Sequence, residues 1–276
     1  MTHPENGPQS IPELLFMAKL AEHCERFDEM AKFMKDVIAI KQKEDKTVLL
    51  STEERNLLSV AFKGIIATRR VSWRTIFVME QKESEGSSVR EHVHLLTAYR
   101  KVVESEIQEI CNDIDMVVRE VLLPAVSTDP VSSETAEVRV FYLKMQGDYH
   151  RYRAETTAET DNEIYKEKAL AAYTQALDIA ASHLSATHPV RLGLVLNFSV
   201  FYYEILKDTE RGVEMAKSAF EEGVSGIESL DEEAYKESSL ILHLLRDNLM
   251  LWREEPAEEE NTAEAKLSRL NLDTKE

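Results

Sequence analysis

Residues 192–206 read Leu192-Gly-Leu-Val-Leu-Asn-Phe-Ser-Val-Phe-Tyr-Tyr-Glu-Ile-Leu206, an apolar run with only two strongly polar side chains, Asn197 and Glu204. Because these two residues are seven apart, an α-helix would place both on one face, about 20° out of line. A buried amide or carboxylate costs about 1–3 kcal/mol or more when it is unpaired. We therefore expect a buried helix whose polar pair binds either a neighbouring side chain or an extended backbone.

The composition favours a chain built almost entirely of helices. It contains only 8 Gly and 7 Pro among 276 residues, too few for the turns that many short strands need. No linker rich in Gly, Ser or Pro interrupts residues 11–252, which predicts one continuous helical array. Ser51-Thr-Glu-Glu54 is typical of a helix start, and Pro189 fits the first turn of a later helix.

The charge balance argues against some classes of partner. Lys and Arg total 33 against 51 Asp and Glu, and the formal net charge is -18. Such a chain is not expected to attach nonspecifically to nucleic acid or to an anionic membrane. Any local cluster of cations in it therefore stands out, and would suit a single phosphate better than a polyanion.

Cysteine usage and hydropathy predict a cytoplasmic protein. Cys24 and Cys111 lie in helical patterns without a CxxC spacing, so we expect reduced core residues. No apolar stretch reaches the roughly 20 residues of a membrane span, and the first residues do not resemble a signal sequence. No cofactor or metal site is predicted, since His92 and His94 would point apart on a helix.

Two pairs of basic residues repeat the spacing of seven. Lys63 and Arg70 form one pair, and Lys144 and Arg151 form the other, so each pair makes a short basic stripe on a helix. Solvated surface charge is the ordinary explanation of such a stripe. A binding site is the alternative, and the surrounding sequence favours it.

Several blocks of sequence resemble the 14-3-3 family, and the similarity runs from about residue 11 to residue 252. Blocks of this length are far more specific than a short motif. The main ones are Glu53-Glu-Arg-Asn-Leu-Leu-Ser-Val-Ala-Phe-Lys63, Phe141-Tyr-Leu-Lys-Met145, Thr187-His-Pro189, Arg191-Leu-Gly-Leu194 and Leu244-Leu-Arg-Asp-Asn-Leu249.

The resemblance implies an all-α fold, a single array of about nine antiparallel helices that forms an amphipathic peptide-binding groove and dimerises through its N-terminal helices. The helical domain would span residues 11–253, between a disordered leader at 1–10 and an acidic, disordered tail at 254–276. It also implies a dimeric adaptor without catalysis that binds phosphoserine or phosphothreonine peptides and regulates phosphorylated clients in signalling.

Site residues follow from the resemblance. The phosphate contacts would be Lys63, Arg70, Arg151 and Tyr152. Contacts to the ligand backbone, or groups that orient the groove, would be Asn197, Asn248, Glu204 and Trp252. The remaining lining of the groove would comprise Lys144, Gly193, Leu196, Val200, Leu240, Ile241, Leu244 and Leu251. We expect the cations of the empty pocket to repel one another, so that the pocket is poised for an anion.

The front of the chain resembles the family's dimer interface. The residues concerned are Leu20, Cys24, Arg26, Glu29, Ser72, Ile76, Tyr99 and Glu106. Apolar contact is expected from Leu20, Cys24, Ile76 and Tyr99, and a cross-subunit ion pair from Arg26 with Glu106. Val102 departs from the family, since many members carry lysine there, so one interface ion pair is expected to be missing. The resulting dimer is either a homodimer or a heterodimer with a sister subunit.

Ser72 closes an Arg-Arg-x-Ser sequence of the form that basophilic kinases favour, and its phosphorylation is predicted to loosen the dimer. The alternative is an unmodified helical serine, because Arg70 is already assigned to the groove. For the whole chain, the rival function is a phosphate-independent helical scaffold of the tetratricopeptide type. The chain shows no 34-residue self-similarity, and such a scaffold would leave the basic residues unexplained.

Overall fold

The computed structural model describes residues 10–45, 47–85, 92–127, 132–158 and 160–254. Within these ranges the chain forms nine helices, as expected, and no strand. In chain order they are α1 Ile11–His23, α2 Phe27–Glu44, α3 Thr52–Glu85, α4 93–125, α5 Ser133–Thr156, α6 Glu163–His183, α7 189–205, α8 Thr209–Gly226 and α9 Glu232–Glu254. The predicted leader and tail fall outside the described residues, apart from Ser10 and Glu254.

The helix starts follow the sequence signals. At α3 the Ser51 hydroxyl accepts a hydrogen bond from the Glu54 amide at 3.2 Å, and the Glu54 carboxylate accepts one from the Ser51 amide at 2.8 Å. This reciprocal pair satisfies two amides that a helix start leaves without an internal partner. Pro189 occupies the first turn of α7, where a missing N–H costs nothing.

Two helices contain a wider, π-helical turn that the sequence did not predict. In α4 it spans Val118–Leu122, just before Pro124, whose ring has no N–H to continue a regular α-helical ladder. In α7 it spans Phe201–Ile205, where the Leu206 amide donates to the Phe201 carbonyl at 3.0 Å. This turn holds Glu204, so the straight-helix alignment of Glu204 with Asn197 is not preserved.

Three apolar clusters join the helices from one end of the chain to the other. The first packs α1 to α5, the second packs α5 to α7, and the third packs α7 to α9. Each cluster shares a helix with the next, so α5 and α7 connect the clusters. In the described parts of the chain, no helix is long and apolar enough to cross a membrane.

The two cysteines have different surroundings. Cys111 is fully buried in the first cluster, and burial raises the pKa of its thiol to about 12. Cys24 is exposed at the end of α1, so the prediction of a core residue is wrong for this position. Helical periodicity alone could not reveal this, because the helix ends at the preceding residue.

Candidate functional site

Helices α3 and α5 bring the basic residues together as a cluster. We call Lys63, Arg70, Lys144 and Arg151 the basic cluster. Tyr152 lies among them, with the guanidinium carbon of Arg70 4.1 Å from its ring centroid and that of Arg151 at 4.8 Å. Both arginines are only 3% exposed, so they are not the solvated surface charges of the ordinary explanation.

Glu155 holds one side of this cluster. Its carboxylate accepts hydrogen bonds from Arg70 Nε at 2.9 Å and from Arg74 Nε at 2.7 Å. Arg74 lies one turn beyond Arg70 on α3 and is also buried. One carboxylate on α5 therefore fixes two guanidinium groups of α3, as a buried charge requires.

Asp148 holds the other side. Its carboxylate accepts hydrogen bonds from Lys144 Nζ at 2.8 Å, from the Tyr173 hydroxyl at 2.6 Å and from Asn197 Nδ2 at 2.8 Å. Arg151 Nη2 lies 3.8 Å from the same carboxylate. Burial alone would raise the pKa of Asp148, but the positive charges of Lys144 and Arg151 bring it below its usual value.

These two carboxylates change the expected electrostatics of the empty pocket. Arg70, Lys144 and Arg151 each face an acidic group, so mutual repulsion of bare cations is not the state of the pocket. Both acids were missed in the sequence. A signal did exist, because Asp148 follows Lys144 by four residues and Glu155 follows Arg151 by four.

Two neighbouring cavities open beside the basic cluster, and Lys63 and Tyr152 line both of them. One measures about 210 Å³ and is also lined by Lys144, Asp148 and Gly193. The other measures about 400 Å³ and is also lined by Arg70 and Asn197. The predicted phosphate contacts on α3 and α5 therefore adjoin open space rather than closed core.

Asn197 binds a neighbouring side chain, one of the two kinds of partner expected for the polar residues of this buried helix. It is 3% exposed, and its amide pairs with the side chain of Asp148. Gly193, one turn earlier on α7, lies between α5 and α9, because a methyl group placed on it would be 3.7 Å from Lys144 Cε and 4.0 Å from Ile241 Cδ1. Helix α7 therefore connects the basic cluster to α9.

The predicted apolar wall is only partly exposed. Leu196 and Val200 are 3% and 4% exposed and pack in the cluster between α7 and α9. Leu240 is 64% exposed, and the other predicted members of the wall, Ile241, Leu244 and Leu251, are half-buried. The apolar surface that α7 offers is thus smaller than the sequence suggested, whereas all four members on α9 keep exposed surface.

The remaining predicted backbone contacts lie at the α7–α9 end of the site. Trp252 is buried and stacks on Tyr203, with ring centroids 4.3 Å apart. Asn248 and Glu204 are half-buried, and both lie beyond the residues that line the two cavities. Within the described residues, no group of three His, Cys, Asp or Glu side chains could hold a metal ion.

The predicted interface residues lie on α1 to α4 and, for Cys24 and Arg26, in the turn between α1 and α2. Leu20 and Tyr99 are 45% and 62% exposed, whereas Ile76 is 7% exposed and belongs to the first apolar cluster. The expectation that Ile76 offers apolar surface is therefore not met. We call six of the exposed apolar residues of these helices the N-terminal face, and they are Phe16, Leu20, Met79, Leu95, Tyr99 and Val102.

The charged residues of this region have partners inside the chain. Arg26 donates hydrogen bonds to Glu29, and Arg69 Nε lies 3.5 Å from Glu106. Ser72 is exposed on α3, and its hydroxyl donates to the Thr68 carbonyl at 2.9 Å. Of the two arginines in the predicted kinase sequence, Arg70 is buried against Glu155 and Arg69 is half-buried.

Comparison with known proteins gives a consistent result. A family model described as 14-3-3 protein matches residues 17–253. The chain is 46% identical to 14-3-3 protein 3 of Entamoeba histolytica over 252 residues, which cover 91% of this chain and 99% of that protein. It is 51% identical to a 14-3-3-like protein of Chlamydomonas reinhardtii over 240 residues, 87% of this chain and 88% of the relative. With the 14-3-3-like protein GF14 psi of Arabidopsis thaliana it shares 48% identity over 247 residues, 90% of this chain and 92% of the relative.

Proposed function

The chain belongs to the 14-3-3 family and is a phosphopeptide-binding adaptor in signalling. We propose that Lys63, Arg70 and Arg151 of the basic cluster form its phosphate site together with Tyr152. The observation that carries this proposal is the position of Arg70 and Arg151. Both are 3% exposed, come from different helices and lie against the ring of Tyr152, beside two open cavities. Two buried guanidinium groups at one place are costly unless an anion or a carboxylate faces them.

The chemistry suits a phosphoryl group. Guanidinium groups present planar forks of N–H donors that match phosphate oxygens, and a lysine adds a point charge. Arg70, Arg151 and Lys63 supply these groups, and the Tyr152 hydroxyl supplies a neutral donor. A phosphate carries about -1.5 to -2 charges at pH 7, and it could therefore share the arginines with Glu155 and Asp148 rather than displace the carboxylates.

The peptide backbone would lie along α7 and α9. Asn197 and Asn248 each carry an amide that can donate to and accept from an extended backbone, which holds a ligand without reading its sequence. Apolar side chains of the ligand would contact Leu240, Ile241, Leu244 and Leu251, the members of the predicted wall that keep exposed surface. Glu204 and Trp252 would then orient this end of the groove through α7 and its stacked Tyr203.

We further propose that the N-terminal face is covered by a second subunit. It carries at least six large apolar side chains that are 45% to 66% exposed, more than single scattered residues would give. On α4, Leu95, Tyr99 and Val102 repeat at four and three residues and therefore share one helix face. The homodimer and a heterodimer with a sister subunit both satisfy this surface.

The finer assignments complete the proposal. The protein acts without catalysis, its partners are phosphoserine or phosphothreonine proteins, and it works in the cytoplasm and enters the nucleus with its clients. Phosphorylation of exposed Ser72 would place charge beside the N-terminal face and loosen the dimer. Light scattering on Ser72→Glu tests this point, and a variant that stays fully dimeric would exclude it.

Titration calorimetry with a phosphoserine peptide and its unphosphorylated twin tests the function. We expect one phosphopeptide per chain, bound at least ~100-fold more tightly than the twin, because the charge-assisted hydrogen bonds to the phosphate have no counterpart in a hydroxyl group. Equal affinity for the two peptides would contradict the proposal and favour a phosphate-independent scaffold.

A further inference from the structure

Asp148 is a buried acidic residue among groups proposed to bind an anionic ligand, so direct contact with the phosphate does not explain its presence. It lies on α5, is 4% exposed, and accepts hydrogen bonds from residues of three helices, Lys144 on α5, Tyr173 on α6 and Asn197 on α7. Two of these donors, Lys144 and Asn197, belong to the groove. A single buried carboxylate therefore touches both the cationic part and the amide part of the site.

The carboxylate dictates which way the Asn197 amide points. An ionised carboxylate can only accept hydrogen bonds, so the group that Asn197 turns toward Asp148 must be its NH₂. The carbonyl Oδ1 of Asn197 then points away from Asp148. In this orientation the amide turns its carbonyl acceptor toward a ligand, where it can bind a backbone N–H, while one N–H of its NH₂ group stays on Asp148.

Tyr173 extends the same arrangement to Arg151. The Tyr173 hydroxyl donates to Asp148 Oδ1 at 2.6 Å, so its oxygen is free to accept from Arg151 Nε, which lies 3.3 Å away. All three side chains are buried. Asp148 thus fixes the direction of the Tyr173 hydroxyl, and the hydroxyl oxygen in turn holds the guanidinium of Arg151.

We propose that Asp148 is a positioning residue that sets the polarity of the Asn197 amide, so that Asn197 accepts a backbone N–H of the ligand, and that it also steadies Arg151 through Tyr173. This inference rests on the proposed function of the groove. It predicts a specific coupling between a buried carboxylate and one N–H group of the ligand. A purely structural ion pair would stabilise the fold without any such coupling.

Peptides in which single backbone amides are replaced by esters test the inference, because an ester lacks the N–H. Three phosphopeptides are needed, with the ester before, at or after the phosphoresidue, together with the all-amide peptide. On the wild type, one of the esters should bind about tenfold more weakly, the usual size of one lost hydrogen bond. Asn197→Ala should abolish this difference between the ester and the amide.

Asp148→Asn is the decisive variant, because it keeps the size of the side chain while an Asn can also donate to Asn197. We expect it to bind the all-amide phosphopeptide about tenfold more weakly than the wild type and to lose most of the ester penalty. The matched control is Asp115→Asn. Asp115 accepts a hydrogen bond from Gln146 Nε2 at 3.0 Å but lines neither cavity, so its variant should keep both the affinity and the ester penalty.

Tyr173→Phe separates the two halves of the inference and remains available if Asp148→Asn does not fold. It removes the hydroxyl that joins Asp148 to Arg151 and leaves the bond between Asp148 and Asn197. We expect about threefold to tenfold weaker phosphopeptide binding with an unchanged ester penalty. Unchanged affinity in Tyr173→Phe would overturn the role toward Arg151.

The outcomes for the two proposals are distinct. A full ester penalty in a folded Asp148→Asn would overturn the role toward Asn197, while the phosphate site would stand. If none of the three esters binds the wild type more weakly than the all-amide peptide, the role toward Asn197 is also overturned and the phosphate site still stands. Equal affinity of the wild type for the phosphopeptide and its unphosphorylated twin would instead overturn the proposed function, and this inference with it. Melting temperatures of all variants confirm that the affinities compare folded proteins.

Discussion

The basic cluster and the N-terminal face depart from the usual distribution of side chains in opposite ways. In the cluster, two arginines are 3% exposed, although arginine is seldom fully buried. On the N-terminal face, Tyr99 and Phe16 are 62% and 66% exposed, although large apolar side chains usually pack inside. Buried charge and exposed apolar surface occur in the same chain, on adjoining helices.

The difference points to two kinds of binding partner. The cost of buried charge is met in part by Asp148 and Glu155, and an anion would meet the rest. Exposed apolar surface is stabilised when another apolar surface covers it. We therefore propose different partners for the two regions, a phosphate for the basic cluster and a protein surface for the N-terminal face. A substitution in one region should leave binding at the other unchanged.

The largest effect is expected when the N-terminal face is disrupted and binding of a doubly phosphorylated peptide is measured. Leu20→Glu places a charge on this face and should give monomers by light scattering. A peptide whose linker spans both grooves should then lose about 10²- to 10⁴-fold in apparent affinity, because the second site no longer binds intramolecularly. A singly phosphorylated peptide should bind as before, and a loss there would contradict the independence of the two regions.

A slightly smaller effect is expected in the basic cluster itself. Arg151→Ala removes one buried guanidinium and should weaken binding of a singly phosphorylated peptide by about 2–5 kcal/mol, since it also leaves Asp148 with one cation fewer. Fluorescence polarisation measures this loss. Arg246→Ala is the matched control, because Arg246 is exposed on α9 and pairs only with neighbouring Asp247 among the described residues. Equal losses in the two variants would show that overall charge, not the cluster, controls binding.

A third prediction concerns a buried polar group outside the groove. His150 lies 3.5 Å from Asp115 and is 6% exposed, and burial lowers its pKa to about 4. Because its pKa in the unfolded chain is about 6.5, the unfolded state takes up a proton first, and stability is lost as the pH falls from about 6.5 to about 4. Between pH 7 and pH 5 the free energy of unfolding should fall by about 2 kcal/mol from this group.

Thermal melts of His150→Gln at pH 7 and pH 5 measure that contribution. The variant should show a smaller fall in melting temperature between the two pH values than the wild type. Exposed His243→Gln serves as the control and should fall as the wild type does. A fall of the same size in all three proteins would contradict the assignment to His150. Phosphopeptide affinity at pH 7 should be unchanged in His150→Gln, because buried polarity alone does not make a binding site.

The smallest effect is expected from Val102→Lys on the N-terminal face. It introduces the residue that many family members carry and so allows an ion pair with an acidic group of a second subunit. Exposed ion pairs contribute about 0–1 kcal/mol, and Glu29 already pairs with Arg26 in this chain. We expect at most about a fivefold change in the dimer dissociation constant by analytical ultracentrifugation. A much larger change would show that Val102 controls partner choice.

The sequence was sufficient for the fold class and for the residues of the basic cluster, because long blocks of sequence fixed both. It was also sufficient for the cap at Ser51, since a capping box is a local pattern. Asp148 and Glu155 were missed because their main partners lie on other helices, and a single sequence does not show which helices meet. Helical spacing suggests contacts within α5, such as those of Asp148 with Lys144 and Arg151, but not the contacts of either acid with other helices.

Exposure was the property least accessible from the sequence. Ile76 and Met79 are both apolar residues of α3, yet the first is 7% exposed and the second 52%. Which of them faces out depends on how α3 rotates against α1 and α4. The π-helical turns were missed for a similar reason, because they depend on packing and on the interruption at Pro124. Cys24 shows the same dependence at a helix end.

The most direct test of the account is fluorescence polarisation with one Arg-Ser-x-pSer-x-Pro peptide and its unphosphorylated twin, on the wild type, Lys63→Glu and Lys63→Arg. Lys63 lines both cavities, so its charge can be reversed or kept at the centre of the site. We predict phosphate-dependent binding that Lys63→Glu abolishes and Lys63→Arg keeps within about tenfold. Equal binding of the two peptides, or phosphopeptide binding that Lys63→Glu leaves unchanged, would contradict the assignment of Lys63, Arg70, Arg151 and Tyr152 as the phosphate site.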